Sequence, residues 1–169
     1  MVQINSLERE VFIKLLELCD KANLAEQKQL TFLSQKAPGL TFYKKHGKGS
    51  MLLTPLSLRN YELISLITQI TKLPEKDIVT IHFCEYFPGG ETTDHKDSNS
   101  SQTVIFLLDS ATKGGLLRVD NEILEFKNRG DWVSYDGGEK FHGVTKVEEG
   151  YRKVLVVWYG DSISNKQLI

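Results

Sequence analysis

Cysteine is scarce in this 169-residue chain: Cys19 and Cys84 are the only two. Neither belongs to a Cys-x-x-Cys pair, which excludes a zinc knuckle and a redox dithiol and fits a reducing compartment. An excess of one charge is also missing. Lys plus Arg number 21 and Asp plus Glu 22, a formal net charge of −1. No basic coat for nucleic acid and no polybasic membrane patch is therefore expected. No window reaches the ~18 uninterrupted apolar residues of a transmembrane helix. The opening MVQINSLEREVF lacks the basic segment and apolar core of a secretory leader. A soluble cytoplasmic protein with no membrane or nucleic-acid partner is the expectation. Internal repeats and low-complexity tracts are absent as well.

What the chain does have is 40% hydrophobic and 25% charged residues, the balance of an ordinary globular domain. A chain of this size buries roughly 70% of its unfolded surface and needs no disulfide or metal staple to fold. The expectation is a single domain over residues 1–169, with a helical buttress over about 1–75 and a β-rich core over about 77–160. Leu7, Val11, Leu15 and Leu18 recur at helical spacing, which predicts a helix from Ser6 to Leu18 with Ser6 as its cap. A second helix is predicted from Thr54-Pro55, with Leu63, Ile64, Ile67 and Ile70 as its apolar stripe and Pro74 at its end. Between them, Lys36–Ser50 mixes Pro38, Gly39, Gly47 and Gly49 with Lys44, Lys45, His46 and Lys48. That mixture reads as a loop.

From Asp77 onward the hydrophobic period changes to two. The predicted strands are Ile78–Phe87, Thr103–Leu108, Gly115–Asp120, Glu122–Phe126, Asp131–Tyr135 and Arg152–Tyr159, each bounded by turn residues. Many short strands after two helices give an α+β class: a jelly roll with N-terminal helices packed on one sheet. Alternation places His82, Cys84 and Tyr86 on one face. It does the same for Thr103, Ile105 and Leu107, and for Arg152, Val154, Val156 and Trp158; these faces are expected to point inward.

The chemistry starts at His95 and Asp97. In an extended segment, positions i and i+2 point the same way, so both side chains reach one point. His142, just after a Gly-Gly turn, would complete a two-histidine, one-carboxylate face of the kind that holds non-haem Fe(II) with open positions. With four His and nine Asp in the chain, a His-x-Asp arises by chance about 0.2 times, so the pair alone is a weak motif. Arg152, ten residues after His142, opens the apolar run Val154-Leu155-Val156-Val157-Trp158-Tyr159. A buried guanidinium needs an anion, either a carboxylate of the chain or the distal carboxylate of a metal-chelating diacid.

The spacing of these residues resembles the Fe(II)- and 2-oxoglutarate-dependent dioxygenases, in their prolyl 4-hydroxylase-like branch. Tyr86-Phe87-Pro88-Gly89-Gly90-Glu91-Thr92-Thr93-Asp94-His95-Lys96-Asp97 resembles that branch's Y-x-x-G-G-x-x-x-x-H-x-D. Thr103 to Asp109, Gly114-Gly115-Leu116-Leu117 and Asn128-Arg129-Gly130-Asp131 resemble its later strand and turn motifs. His142, Val147, Gly150, Arg152 and Trp158 keep the order H…V-x-x-G-x-K/R…W. The match runs from about Ile64 to Gly160.

The resemblance implies a double-stranded β-helix in which His95, Asp97 and His142 bind Fe(II) and Arg152 pairs with the C5 carboxylate of 2-oxoglutarate. It implies that Tyr86 bonds this cosubstrate and that Thr103, Ile105, Leu117, Val144 and Trp158 line its pocket. O₂ is the oxidant, ascorbate an ancillary reductant, and succinate and CO₂ the co-products. A peptidyl proline is the leading substrate. A free amino acid or small metabolite is the alternative, and a non-catalytic jelly-roll binding module is the alternative from another class. Lys36–Ser50 falls where the branch carries a substrate lid. His82 is expected to be structural, and His46 to face solvent or substrate. Two positions depart from the pattern: Leu107 stands where a second cosubstrate tyrosine is usual, and Thr92 where an aromatic is common.

Overall fold

A computed structural model describes residues 2–30, 46–97 and 100–160, the side chains of 27–30 excepted. Helix α1 (Arg9–Leu30) begins three residues after the expected cap and continues well past Leu18. The later start has a cause. Asn5 exchanges two backbone hydrogen bonds of 2.8 Å with Trp132, which holds the preceding chain extended against a sheet edge. Leu15, Leu18, Cys19 and Ala22 form the buried stripe of α1, at the 3–4-residue spacing of one helical face.

The second helix, α2, is Tyr61–Thr71 and not a helix from Thr54. Thr54 and Pro55 lie in strand β2 (Met51–Leu56). Strand β2 is the edge of its sheet, where the missing N–H of Pro55 costs no ladder bond. The region before residue 75 is therefore not purely helical, since it contains β2 and the short β1 (Gly47–Lys48). Helix α2 buries Leu63, Ile64 and Ile67. It stops at Lys72, which takes a left-handed conformation (φ 61°) and donates its N–H to the Thr68 carbonyl. Pro74 follows, as at many helix ends.

The remaining strands are β3 (Ile78–Tyr86), β4 (Glu91–His95), β5 (Gln102–Asp109), β6 (Lys113–Gly114), β7 (Leu117–Val119), β8 (Glu122–Leu124), β9 (Trp132–Tyr135), β10 (His142–Val144), β11 (Val147–Glu149) and β12 (Arg152–Tyr159). They form a five-stranded major sheet in the order β2-β3-β12-β5-β9, a five-stranded minor sheet in the order β1-β4-β10-β7-β8, and a β6-β11 ribbon. All pairings are antiparallel. The architecture is a double-stranded β-helix with helices on one face.

Two apolar layers follow from strand alternation. On the outer face of the major sheet, Ile81, Phe83, Val104, Phe106, Leu108, Leu155 and Val157 pack against α1 and α2. On the inner face, Cys84, Tyr86, Ile105, Leu107, Val154, Val156 and Trp158 pack against Leu117, Val119 and Val144 of the minor sheet. The register carries this inner layer straight across the strands: Val154 lies beside Cys84 and Leu107, and Trp158 beside Thr103. The inward faces expected from the sequence are those observed. No helix among the described residues is long and apolar enough to cross a membrane.

Candidate metal and anion site

The sheets bring His95, Asp97 and His142 together although the last lies far along the chain. His95 ends β4 and His142 begins β10, and the two are cross-strand partners. Asp97 follows β4, with its N–H bonded at 2.8 Å to the carbonyl of Gly137 in the turn before β10. Ligand atoms of all three lie within 4.8 Å of one another, and all three residues are buried. His95 Nε2 is 3.3 Å from Asp97 Oδ1, and His142 Nε2 is 3.2 Å from Asp97 Oδ2.

The tautomers are set by the backbone. His95 Nδ1 is 2.7 Å from the Thr93 carbonyl and His142 Nδ1 is 2.9 Å from the Lys140 carbonyl. A carbonyl only accepts, so each Nδ1 carries the proton. In a neutral imidazole that leaves each Nε2 as a lone-pair donor directed at the cluster, the second-shell pattern of metal-ligating histidines. Burial favours a neutral Asp97, but the two imidazoles beside it outweigh burial and hold the carboxyl well below the usual range. Burial disfavours charge on His142, yet the Asp97 carboxylate outweighs it and raises the imidazole above its ordinary value. Asp97 Oδ2 accepts from Thr103 Oγ1 at 2.9 Å and from Trp158 Nε1 at 3.0 Å. Asp97 Oδ1 is buried and accepts no hydrogen bond. A carboxylate with one imidazole nitrogen beside each oxygen, and one of those oxygens unsatisfied, is a donor set that fits a divalent cation.

The same cavity holds a cation with no ion pair among the described residues. Arg152 is 1% exposed, and its Nε and Nη2 have no hydrogen-bond partner. Burial pushes its pKa down, yet guanidinium stays protonated in proteins. Its nearest aromatic neighbour is the Tyr86 ring, 5.7 Å from the guanidinium carbon to the centroid. An uncompensated buried charge is costly, so the arrangement calls for an anion.

Arg152, Tyr86, Thr103, Ile105, Leu117, Val144 and Trp158 all line this cavity, together with His95 and His142. The Tyr86 phenol shares a hydrogen bond with Thr92 Oγ1 at 2.9 Å. Burial pushes that phenol up to about 12. Thr92, standing where an aromatic is common, thus serves as the partner of Tyr86. Leu107 is buried in the inner layer but lies outside this cavity's lining.

Sequence reasoning missed Tyr135, which lines the cavity and packs edge-on against the His142 ring at 5.1 Å. The alternation of β9, with Val133 and Tyr135 on one face, was the signal that could have found it. His82 sits below the site with its ring edge-on to Trp158 at 4.7 Å, and burial lowers its pKa to about 3. His46 is half-buried and stacks on His95, centroids 4.4 Å apart and planes 12° from parallel. Lys44 and Lys45 lie outside the described residues, while Lys48 is exposed on β1.

No family model and no curated protein matches the chain. Solved structures do. A prolyl-4-hydroxylase from Pseudomonas putida aligns with a TM-score of 0.57 and 18% identity over 95% of this chain and 92% of that one. The viral collagen prolyl hydroxylase of Paramecium Bursaria Chlorella virus-1, in a 2OG complex, aligns with a TM-score of 0.61 and 14% identity over 93% and 94%. In fold, the chain is a double-stranded β-helix similar over nearly its whole length to these two prolyl hydroxylases.

Proposed function

We propose that the chain is an Fe(II)- and 2-oxoglutarate-dependent dioxygenase that hydroxylates a peptidyl proline. One observation carries this reading: the two histidines of a cation-ready cluster line a single cavity with a buried guanidinium that has no ion pair among the described residues. A dicarboxylate that also chelates a metal satisfies both at once. Bound there, the iron would supply oxidative chemistry with O₂, coupling decarboxylation of 2-oxoglutarate to substrate hydroxylation.

The residues of the chain have definable parts in that reaction. His95, Asp97 and His142 would hold the metal through two imidazole nitrogens and a carboxylate oxygen. Thr103 and Trp158 fix the rotation of the Asp97 carboxylate. Arg152 fixes one end of the cosubstrate by a charge-assisted pair. Ile105, Leu117, Val144, Val154 and Val156 form apolar walls that exclude water. The peptidyl-proline substrate rests on the likeness to two prolyl hydroxylases.

The test is a panel of proline-containing peptides and free amino acids incubated with Fe(II), 2-oxoglutarate and ascorbate. Succinate release and the mass gain of one oxygen are followed. Succinate that needs Fe(II) and O₂, with the added oxygen on a peptide proline, is the expected result. Oxygen added to a free amino acid instead would redirect the substrate. No visible charge-transfer band on anaerobic addition of Fe(II) and 2-oxoglutarate would make the chain a non-catalytic binding module.

A further inference from the structure

Tyr135 ends β9 and lies opposite Thr103 of β5. Together with Val133 it faces the interior between the sheets. The residue is 3% exposed, and its hydroxyl has no hydrogen-bond partner. A buried hydroxyl in that condition is unfavourable. Its ring is held against the His142 ring.

The other hydroxyls lining the cavity are engaged. Thr103 donates to Asp97, and the hydroxyls of Tyr86 and Thr92 bond each other. The phenol of Tyr135 is therefore the one lining hydroxyl without a protein partner among the described residues. It shares the cavity with the two unpaired nitrogens of Arg152. A phenol carries its proton at neutral pH, so it can act as a donor.

We infer that Tyr135 is a further ligand-binding residue: its O–H donates to an oxygen of the dicarboxylate that Arg152 holds beside the His95–Asp97–His142 cluster. This rests on the 2-oxoglutarate reading above and adds a contact that neither Tyr86 nor Arg152 supplies. A neutral donor and a cation then meet one anion.

The test uses the full chain loaded with Zn(II), which binds without turnover, and 2-oxoglutarate as the probe. Calorimetry gives the dissociation constants of 2-oxoglutarate and of Zn(II) for the wild type and for Tyr135→Phe. A hydrogen bond to a charged acceptor corresponds to a loss of about tenfold or more in 2-oxoglutarate affinity. Zn(II) affinity is expected to be unchanged. The unliganded Tm of Tyr135→Phe is expected to equal or exceed that of the wild type, because the deleted hydroxyl bonds nothing in the protein. A lowered unliganded Tm with unchanged 2-oxoglutarate binding would make Tyr135 a structural residue and overturn the inference. Equal 2-oxoglutarate affinities would overturn it while leaving the dioxygenase reading intact. No binding of 2-oxoglutarate by the wild type would overturn both.

Discussion

Trp158 Nε1 donates to Asp97 Oδ2 at 3.0 Å. This bond joins the major sheet to the carboxylate of the candidate metal cluster across 61 positions of sequence. It also links the candidate site to the apolar layer beneath it, because the Trp158 ring packs against His82. The carboxylate rotamer is thus set by the register of β12 on β3 and β5, not by the short turn that carries Asp97.

Trp158→Phe keeps an aromatic ring near His82 but removes the indole donor. Thr103 would then be the remaining donor to Asp97 Oδ2. Loss of an outer-shell partner typically costs about 10–100-fold in metal affinity. A drop in that range is expected in a Co(II) or Mn(II) titration, with Tm changed little. Unaltered metal affinity would mean that the bond does not orient the carboxylate.

Gly137→Ala probes the same carboxylate from the opposite side. A Cβ at position 137 would come within 2.5 Å of Asp97 Oδ2 and would also press on Thr103 Oγ1. Overpacking of this kind costs about 1–3 kcal/mol. The substitution should displace Asp97 and abolish tight metal binding, with far-UV circular dichroism preserved. Retained metal affinity would show that the turn before β10 yields instead of the carboxylate.

The strands that span the core were the most legible parts of the chain. Ile78–Tyr86 and Arg152–Tyr159 are rich in apolar residues at successive positions because each is buried on both faces, one against the helices and one inside the barrel. The short strands β4 and β10 were not legible as strands. Glu91–His95 and His142–Val144 are brief and hold ligands and small residues where a core strand would hold apolar ones. Their pairing partner is decided by closure of the minor sheet, which leaves no local trace. Thr54-Pro55 misled for the opposite reason. Its local chemistry suits a helix start, and only its place on a sheet edge makes it a strand. The proximity of His95, Asp97 and His142 was readable from His-x-Asp and the later histidine. Tyr135 was not, because nothing in its neighbourhood says that its hydroxyl lacks a partner.

His82 should leave a signature in the pH dependence of stability. Its imidazole has an ordinary pKa of 6.5, lowered by burial to about 3 in the folded state. The unfolded chain therefore binds a proton that the folded chain refuses throughout that window. The stabilising contribution is fully present above pH 6.5 and is lost as the pH falls from there toward 3. By pH 5 the loss from this group is about 2 kcal/mol. Urea denaturation at pH 7 and pH 5 should show a fall for the wild type that is smaller by about this amount in His82→Phe. Equal falls in both proteins would mean that His82 becomes protonated without unfolding.

Arg152 gives the sharpest contrast between the resting and the liganded protein. In the unliganded state the guanidinium is a buried charge with no ion pair among the described residues. Such a charge carries an uncompensated desolvation cost that an apolar side chain of similar reach does not. Arg152→Met should therefore hold or raise the Tm of the protein without ligand. The ligand response should do the reverse. For the metal-loaded wild type, 2-oxoglutarate at a hundred times its Kd adds about 2.7 kcal/mol of stability. The same concentration should leave Arg152→Met unmoved, because the variant offers no countercharge to the distal carboxylate. Thermal melts of both proteins with Zn(II), with and without 2-oxoglutarate, separate the two effects. A variant that loses stability when unliganded yet still responds to 2-oxoglutarate would place the guanidinium in the framework of the barrel instead of in its binding site.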